Sequence, residues 1–169
     1  MRNKVIRSIT TNGIVAALYF ILTLISTPFS FGLIQIRIAE LLILLCFFRR
    51  DYVVGVTIGC VLSNLMSPLG MWDVLFGTLA TLMSGLLVSF MRHLLIAGLI
   101  PVVINGFAVG AELYFLSEQA PMFWVAVGAV ALGELIAVIG LGYSLFMIVG
   151  KRAKFQEVIG AERNLTFRW

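Results

Sequence analysis

The feature that most constrains this chain is a series of long apolar runs that contain almost no charge. Six runs follow one another, separated by short breaks rich in proline, glycine or arginine, at about residues 10–26, 34–48, 52–66, 72–91, 94–116 and 122–149. A helix needs roughly 20 apolar residues to cross a bilayer. The pattern therefore predicts an all-α integral membrane protein with six transmembrane helices.

The composition excludes a water-soluble fold. Hydrophobic residues make up 61% of the 169 residues and charged residues only 12%, whereas a typical soluble domain is about 25% charged. A domain of this size has too little interior to hide so many apolar side chains. Because the breaks are too short to hold a second domain, we predict a single transmembrane domain over residues 1–169.

The basic residues predict the orientation of the chain. With the N-terminus inside, all but one of the 12 Lys and Arg residues fall on the cytoplasmic side, namely Arg2, Lys4, Arg7, Arg49, Arg50, Arg92, Lys151, Arg152, Lys154, Arg163 and Arg168. Membrane proteins carry such an excess of positive charge in their cytoplasmic segments. We therefore expect both termini in the cytoplasm, and only Arg37 on the outer side.

Polar residues within the apolar runs indicate a site, because polar groups are costly in hydrocarbon. Counted at about 1.5 Å per helical residue, all of them fall at or above the midplane, in the outer half of the bilayer. They are Arg37, Glu40, Asn64, Asp73, Asn105, Glu112 and Glu134. This distribution predicts a binding site that opens outward.

The spacing of the charged residues separates two cases. Arg37 and Glu40 are three residues apart and share a helical face, which is also the spacing of a purely structural ion pair. Glu112 and Glu134 have no basic residue nearby in the sequence. They need a partner from elsewhere, a proton or a cationic ligand. We expect both to contact a ligand, with internal hydrogen bonding as the alternative.

Small residues in the first run indicate a helix contact. Gly13 and Ala17 are four residues apart, and such pairs let helix backbones approach closely in membranes. They are candidate partner-contact residues, although the pattern does not distinguish a helix of the same chain from that of another protein.

Several functional classes lack their motifs. Gly150-Lys151 has Leu145 where the first glycine of an ATPase phosphate-binding loop should stand. The single histidine, His93, has no catalytic partner at a suitable spacing, and the two cysteines lack metal-ligand spacing. We therefore expect neither an enzyme, nor a cofactor or metal site, nor a nucleic-acid partner.

Five short motifs occur in order along the chain. They are Gln35-Ile-Arg-Ile-Ala-Glu40-Leu-Leu, Gly59-Cys-Val-Leu-Ser-Asn64, Asp73-Val-Leu-Phe-Gly-Thr-Leu-Ala-Thr81, Asn105-Gly-Phe-Ala-Val-Gly-Ala-Glu112 and the glycine-rich run from Gly128 to Gly133-Glu134. Together they resemble the QueT-type transporters for queuosine precursors, which are substrate-binding S components of energy-coupling factor (ECF) transporters.

The resemblance implies a six-helix S-component bundle in a bacterial cell membrane. Such a subunit captures its substrate from outside, while a transmembrane coupling subunit and two cytoplasmic ATPases drive uptake. The expected ligand is a 7-deazaguanine such as preQ1, preQ0 or queuine, and Gln35 joins the candidate site through the first motif. Gly13 and Ala17 stand in place of the alanine pair usual in the first helix of S components.

Two other functions remain compatible with the residues. Glu112 and Glu134 are also suitable relay groups for a homo-oligomeric channel or a proton-coupled carrier of a small cationic solute. The small-residue faces are compatible with an assembly subunit that transports nothing.

Overall fold

The computed structural model describes residues 2–30, 35–117 and 122–161. Within these ranges the chain is helical and contains no strand, which confirms the all-α prediction. The helices are α1 (Arg2–Ile25), α2 (Thr27–Ser30), α3 (Ile38–Phe48), α4 (Tyr52–Asn64), α5 (Met71–Phe90), α6 (Leu94–Leu116), α7 (Phe123–Val149) and α8 (Ala153–Ile159).

Four helices are long and apolar enough to cross a membrane. They are Val5–Ile25 of α1, α5, α6 and α7. Helix α4 has 13 residues, a rise of about 20 Å against a hydrocarbon core of about 30 Å, and α3 is shorter still. The structure therefore supports a multi-pass membrane protein, while six full spans stay a prediction.

The helix limits differ from the apolar runs by more than two residues at two places. Helix α1 begins at Arg2, well before residue 10, because the polar residues that precede the apolar run are also helical. Within this part of α1, the Thr11 hydroxyl donates to the Arg7 carbonyl (2.6 Å). Helix α3 begins at Ile38 because residues 35–37 are not helical. The expected start at residue 34 lies outside the described residues, as do Arg163 and Arg168.

Two helices depart from α geometry. Helix α3 is a 3₁₀-helix over Ile38–Leu44 before it becomes α-helical. Helix α7 changes to a π-helix over Leu135–Tyr143. The π turns of α7 are wider than α turns. Wider turns of this kind often mark functional sites, because the extra residue redirects the side chains around it.

The helices surround α3. Helices α1 and α4, α4 and α5, α5 and α6, and α6 and α7 are packed neighbours, and α3 contacts α1, α5 and α7. Its side chains Ile43, Leu44, Phe47 and Phe48 are fully buried. Many large apolar side chains on the other helices face outward, as expected where a bilayer replaces water.

The two ends of this bundle differ in chemistry. At the end where α4 begins, the Ser8 hydroxyl donates to Asp51 (2.6 Å), Arg49 forms an ion pair with Asp51 (2.5 Å), and the Tyr52 hydroxyl donates to the Ile159 carbonyl of α8 (2.7 Å). We refer to this as the basic end. The opposite end, where α4 and α6 finish and α3, α5 and α7 begin, is the polar end.

Candidate functional site

The polar end buries five charged side chains, which we define as the carboxylate cluster. They are Arg37, Glu40, Asp73, Glu112 and Glu134, and each is at most 4% exposed. Four carboxylates face one guanidinium, so the cluster carries three negative charges when all five groups are ionised. Such an excess of buried charge is stable only with added protons, donors or cations.

Arg37 lies just before α3 and connects to α4 and α5. Its Nη1 donates to Asn64 Oδ1 (2.9 Å), and its Nη2 lies 3.9 Å from Asp73 Oδ1. Asn64 Nδ2 in turn donates to the Asp73 carbonyl (2.9 Å). Gly77 allows this approach, since a Cβ there would lie 2.7 Å from Asn64 Nδ2. These contacts fix the guanidinium beside Asp73.

Glu40 is held by two hydroxyl groups. The Tyr19 hydroxyl of α1 donates to Glu40 Oε1 (2.5 Å), and the Thr81 hydroxyl of α5 reaches the same oxygen (3.2 Å). The other oxygen, Oε2, has no donor among the described residues.

The sequence did not indicate Tyr19, because a tyrosine in an apolar run is usually interpreted as a packing or interfacial residue. Thr81 ends the third motif among the small residues Gly77 and Ala80, a pattern typical of helix packing in membranes. For both residues, the signal in the sequence is a hydroxyl group within an apolar run, at about the same depth in the membrane as Glu40.

Asp73 and Glu112 form an acidic pair between α5 and α6. Asp73 opens α5 just after Gly70, whose positive φ of 59° suits a residue without a Cβ. The Ser67 hydroxyl donates to Asp73 Oδ2. Glu112 interacts electrostatically with Asp73, yet neither of its oxygens has a donor in the part of the chain that the structure describes. The two carboxylate oxygens of Glu112 can therefore accept at least two further hydrogen bonds.

Asn105 and Glu134 form a second group, deeper along α6 and α7. Asn105 Nδ2 donates to Glu134 Oε1 (2.8 Å). Glu134 Oε2 and Asn105 Oδ1 meet no donor within residues 2–30, 35–117 and 122–161. Glu134 is the last residue before the π-helical segment, and it interacts electrostatically with Glu40. The neighbouring Gly133 packs on the Gln35 backbone, which leaves no space for a Cβ.

The cluster is therefore rich in acceptors and poor in donors. A buried acceptor without a donor costs about 1–3 kcal/mol, so the arrangement favours a ligand that brings several N–H donors and a positive charge. Among the described residues, no group of three or more His, Cys, Asp or Glu side chains is placed to hold a metal ion.

Other residues singled out in the sequence lie around or away from this cluster. Gln35 is buried beside Gly133. Three aromatic residues at the polar end, Trp72, Tyr114 and Trp124, are exposed, as in the aromatic belts that lie at membrane interfaces. Gly13 and Ala17 lie on the exposed face of α1, and a Cβ at Gly13 would meet no other atom within 4 Å.

Comparison with known proteins identifies the family. The family model described as QueT transporter matches residues 9–151, and so includes every residue of the carboxylate cluster. The chain belongs to the QueT transporter family. The queuosine precursor transporter QueT of Lactococcus lactis subsp. cremoris (strain MG1363) is 34% identical over 170 residues, which cover 90% of this chain and 97% of the relative. No solved structure matches the chain significantly.

Membership of the QueT family confirms the resemblance inferred from the five motifs. Together with the long apolar helices, it identifies the chain as a multi-pass transport protein of the bacterial membrane.

Proposed function

We propose that this chain is the substrate-binding S component of an ECF importer and captures a queuosine precursor, a 7-deazaguanine, from outside the cell. The observation that carries the proposal is the buried, acceptor-rich carboxylate cluster in a member of the QueT family. The Lactococcus relative is named for queuosine precursor transport.

The chemistry of a 7-deazaguanine complements this cluster. Its guanine-like edge presents the N1–H and 2-amino donors side by side, and the aminomethyl derivative preQ1 adds an ammonium group. Carboxylates accept such paired donors well, and charge strengthens the hydrogen bonds. Glu112 and Glu134 have three oxygens without a donor among the described residues, which supports both as ligand contacts.

The orientation in this proposal follows from the basic end. Positive charge is enriched on cytoplasmic segments, and Arg7, Arg49, Lys151 and Arg152 all belong to the basic end. The proposed topology therefore has six membrane-embedded helices, both termini in the cytoplasm and the polar end outside. The short helices α3 and α4 complete the bundle within the single domain.

The surface of α1 supports an interaction with a coupling subunit. This helix is the least buried of the four long apolar helices, and Gly13 and Ala17 make a shallow notch on its exposed face. We propose that a transmembrane coupling subunit packs on this notch. Two cytoplasmic ATPases would then supply the energy, since this sequence has no phosphate-binding loop.

The rival function is a proton-coupled carrier, which the interacting carboxylates Asp73 and Glu112 favour. Vesicles that contain only this chain distinguish the two. An S component binds radiolabelled preQ1 but accumulates none, with or without ATP inside. Accumulation driven by an imposed proton gradient would support the carrier.

A further inference from the structure

We propose that the carboxylate cluster has two recognition poles and that the protein selects a positively charged 7-deazaguanine over a neutral one. Asp73 and Glu112 bind the amine of the ligand, and Asn105 and Glu134 bind its guanine-like edge. This inference rests on the proposed function and adds to it the choice among precursors.

The environment of Glu112 supports the amine pole. Glu112 is 2% exposed, both of its carboxylate oxygens lack a donor among the described residues, and it interacts electrostatically with another buried carboxylate, Asp73. Two adjacent buried carboxylates repel each other unless they share a proton or a positive group lies between or beside them. An ammonium group supplies that charge together with three donors.

Arg37 supplies only part of the positive charge that this cluster needs. Its Nη1 is engaged by Asn64 at 2.9 Å, and its Nη2 stands 3.9 Å from Asp73 Oδ1, at the limit of an ion pair. One guanidinium also offsets only one of the four carboxylates. The cluster as a whole therefore favours a ligand that carries a positive charge.

Asn105 and Glu134 provide the acceptors of the edge pole. Their mutual hydrogen bond (2.8 Å) uses one Asn105 donor and one Glu134 oxygen, and leaves Glu134 Oε2 and Asn105 Oδ1 as acceptors without a described donor. Two neighbouring acceptors suit the two neighbouring donors of a guanine-like edge. The bond also fixes the carboxylate in place before the ligand arrives.

The separation of the two poles matches the ligand. Asn105 and Glu112 are seven residues apart on α6, which is two helical turns on one face and about 10 Å of rise. A bicyclic ring with one aminomethyl substituent reaches from one pole to the other. The amine pole lies toward the end of α6 and the edge pole lies deeper, so the ring enters edge first.

The test compares two ligands that differ only at the proposed amine pole. The 7-aminomethyl compound (preQ1) is a cation, and the 7-cyano compound (preQ0) has the same ring and no charge. In calorimetric titrations of the purified full chain, we expect preQ1 to bind at least about tenfold more tightly than preQ0. In Glu112→Gln, preQ1 should lose about tenfold to a hundredfold in affinity while preQ0 changes by less than about threefold.

The edge pole supplies the matched comparison. Glu134→Gln should weaken both ligands by similar factors and leave their ratio unchanged. Asp73→Asn provides a second variant of the amine pole if Glu112→Gln folds poorly, and thermal unfolding checks each protein. Equal affinity of the parent for both ligands would overturn the selectivity, as would a Glu112→Gln protein that weakens both equally. A parent that binds neither ligand would overturn the proposed function itself.

Discussion

At the residue scale, the carboxylate cluster has more acceptors than the described part of the protein has donors for them. Tyr19 and Thr81 satisfy one oxygen of Glu40, and Asn105 satisfies one oxygen of Glu134. Each remaining buried acceptor costs about 1–3 kcal/mol when no donor reaches it. A ligand with several donors removes this cost, so its binding also stabilises the fold.

The first prediction concerns Glu134. In Glu134→Gln, one acceptor oxygen becomes a donor, which then faces a donor of the ligand. We expect a loss of about 1–3 kcal/mol in binding free energy, or roughly fivefold to over a hundredfold in affinity for preQ1. Calorimetric titration measures it.

The control for this change is Glu157→Gln, the same substitution on an exposed side chain of α8 at the basic end. It should leave preQ1 affinity unchanged. If Glu134→Gln binds like the parent, or if it loses thermal stability and affinity to the same extent, the carboxylate has a structural role instead.

The second prediction concerns Tyr19. Its hydroxyl is buried and donates to Glu40 at 2.5 Å. Tyr19→Phe leaves a buried carboxylate with one donor fewer, so the free energy of unfolding should fall by about 1–3 kcal/mol. Denaturant unfolding in detergent measures the change.

Tyr114→Phe removes the same hydroxyl from an exposed ring and should change stability by less than about 0.5 kcal/mol. Equal stability of the two variants would contradict the role of Tyr19 in holding Glu40.

At the element scale, glycines let the helices approach closely. A Cβ at Gly110 of α6 would lie 2.7 Å from the Val127 Cα of α7. This contact lies between the helices that carry Glu112 and Glu134, and thus sets the separation of those two side chains. The packing of α6 on α7 is therefore part of the site.

The third prediction follows from this contact. Gly110→Ala should lower the thermal unfolding midpoint, because α6 and α7 must separate to admit the methyl group and overpacking costs about 1–3 kcal/mol. Gly128→Ala is the control, since a Cβ there meets nothing within 4 Å. It should be neutral or slightly stabilising, because alanine favours a helix over glycine. A Gly110→Ala protein as stable as Gly128→Ala would contradict the packing.

The fourth prediction concerns the notch on α1. Ala17→Leu fills it and should reduce uptake of preQ1 by the assembled complex severalfold, while affinity of the isolated chain stays within about twofold. Gly128→Leu enlarges an exposed position of α7 and should affect uptake less. If Ala17→Leu weakens binding as much as uptake, α1 packs inside the fold through this residue.

Sequence patterns predicted most of the helices because a long apolar run leaves few other structures possible. The limits of α5, α6 and α7 agree with the runs to within a residue. Helix α3 is shorter than its run because its 3₁₀ start lies at Ile38. A local pattern does not contain this information, since the change depends on how α3 packs against α7.

The sequence predicted which residues belong to the candidate site, but not which of them contact one another. Buried polar residues are visible in an apolar sequence, so the four carboxylates and Arg37 stood out. The hydrogen bond of Tyr19 to Glu40 and the approach of Glu112 to Asp73 depend on helix packing between distant segments. Sequence spacing suggested an ion pair of Arg37 with Glu40, whereas the structure places Arg37 Nη2 3.9 Å from Asp73 Oδ1.

At the scale of the whole molecule, the two ends of the bundle have separate roles in this account. The polar end holds the carboxylate cluster, and the basic end is closed by Asp51, Tyr52 and α8. A protein built in this way can hold a ligand at one end. In the proposed function, energised uptake depends on the coupling subunit and the two ATPases.

The central claim is that this chain by itself binds a 7-deazaguanine, and titration of the purified chain with preQ1 tests it most directly. The account predicts saturable binding of one ligand per chain without ATP or any other subunit, and a higher thermal unfolding midpoint with ligand. Adenine, which lacks the N1–H and 2-amino donors, should not bind. No detectable binding of preQ1 or preQ0 to the folded chain, or equal binding of adenine, would contradict the account.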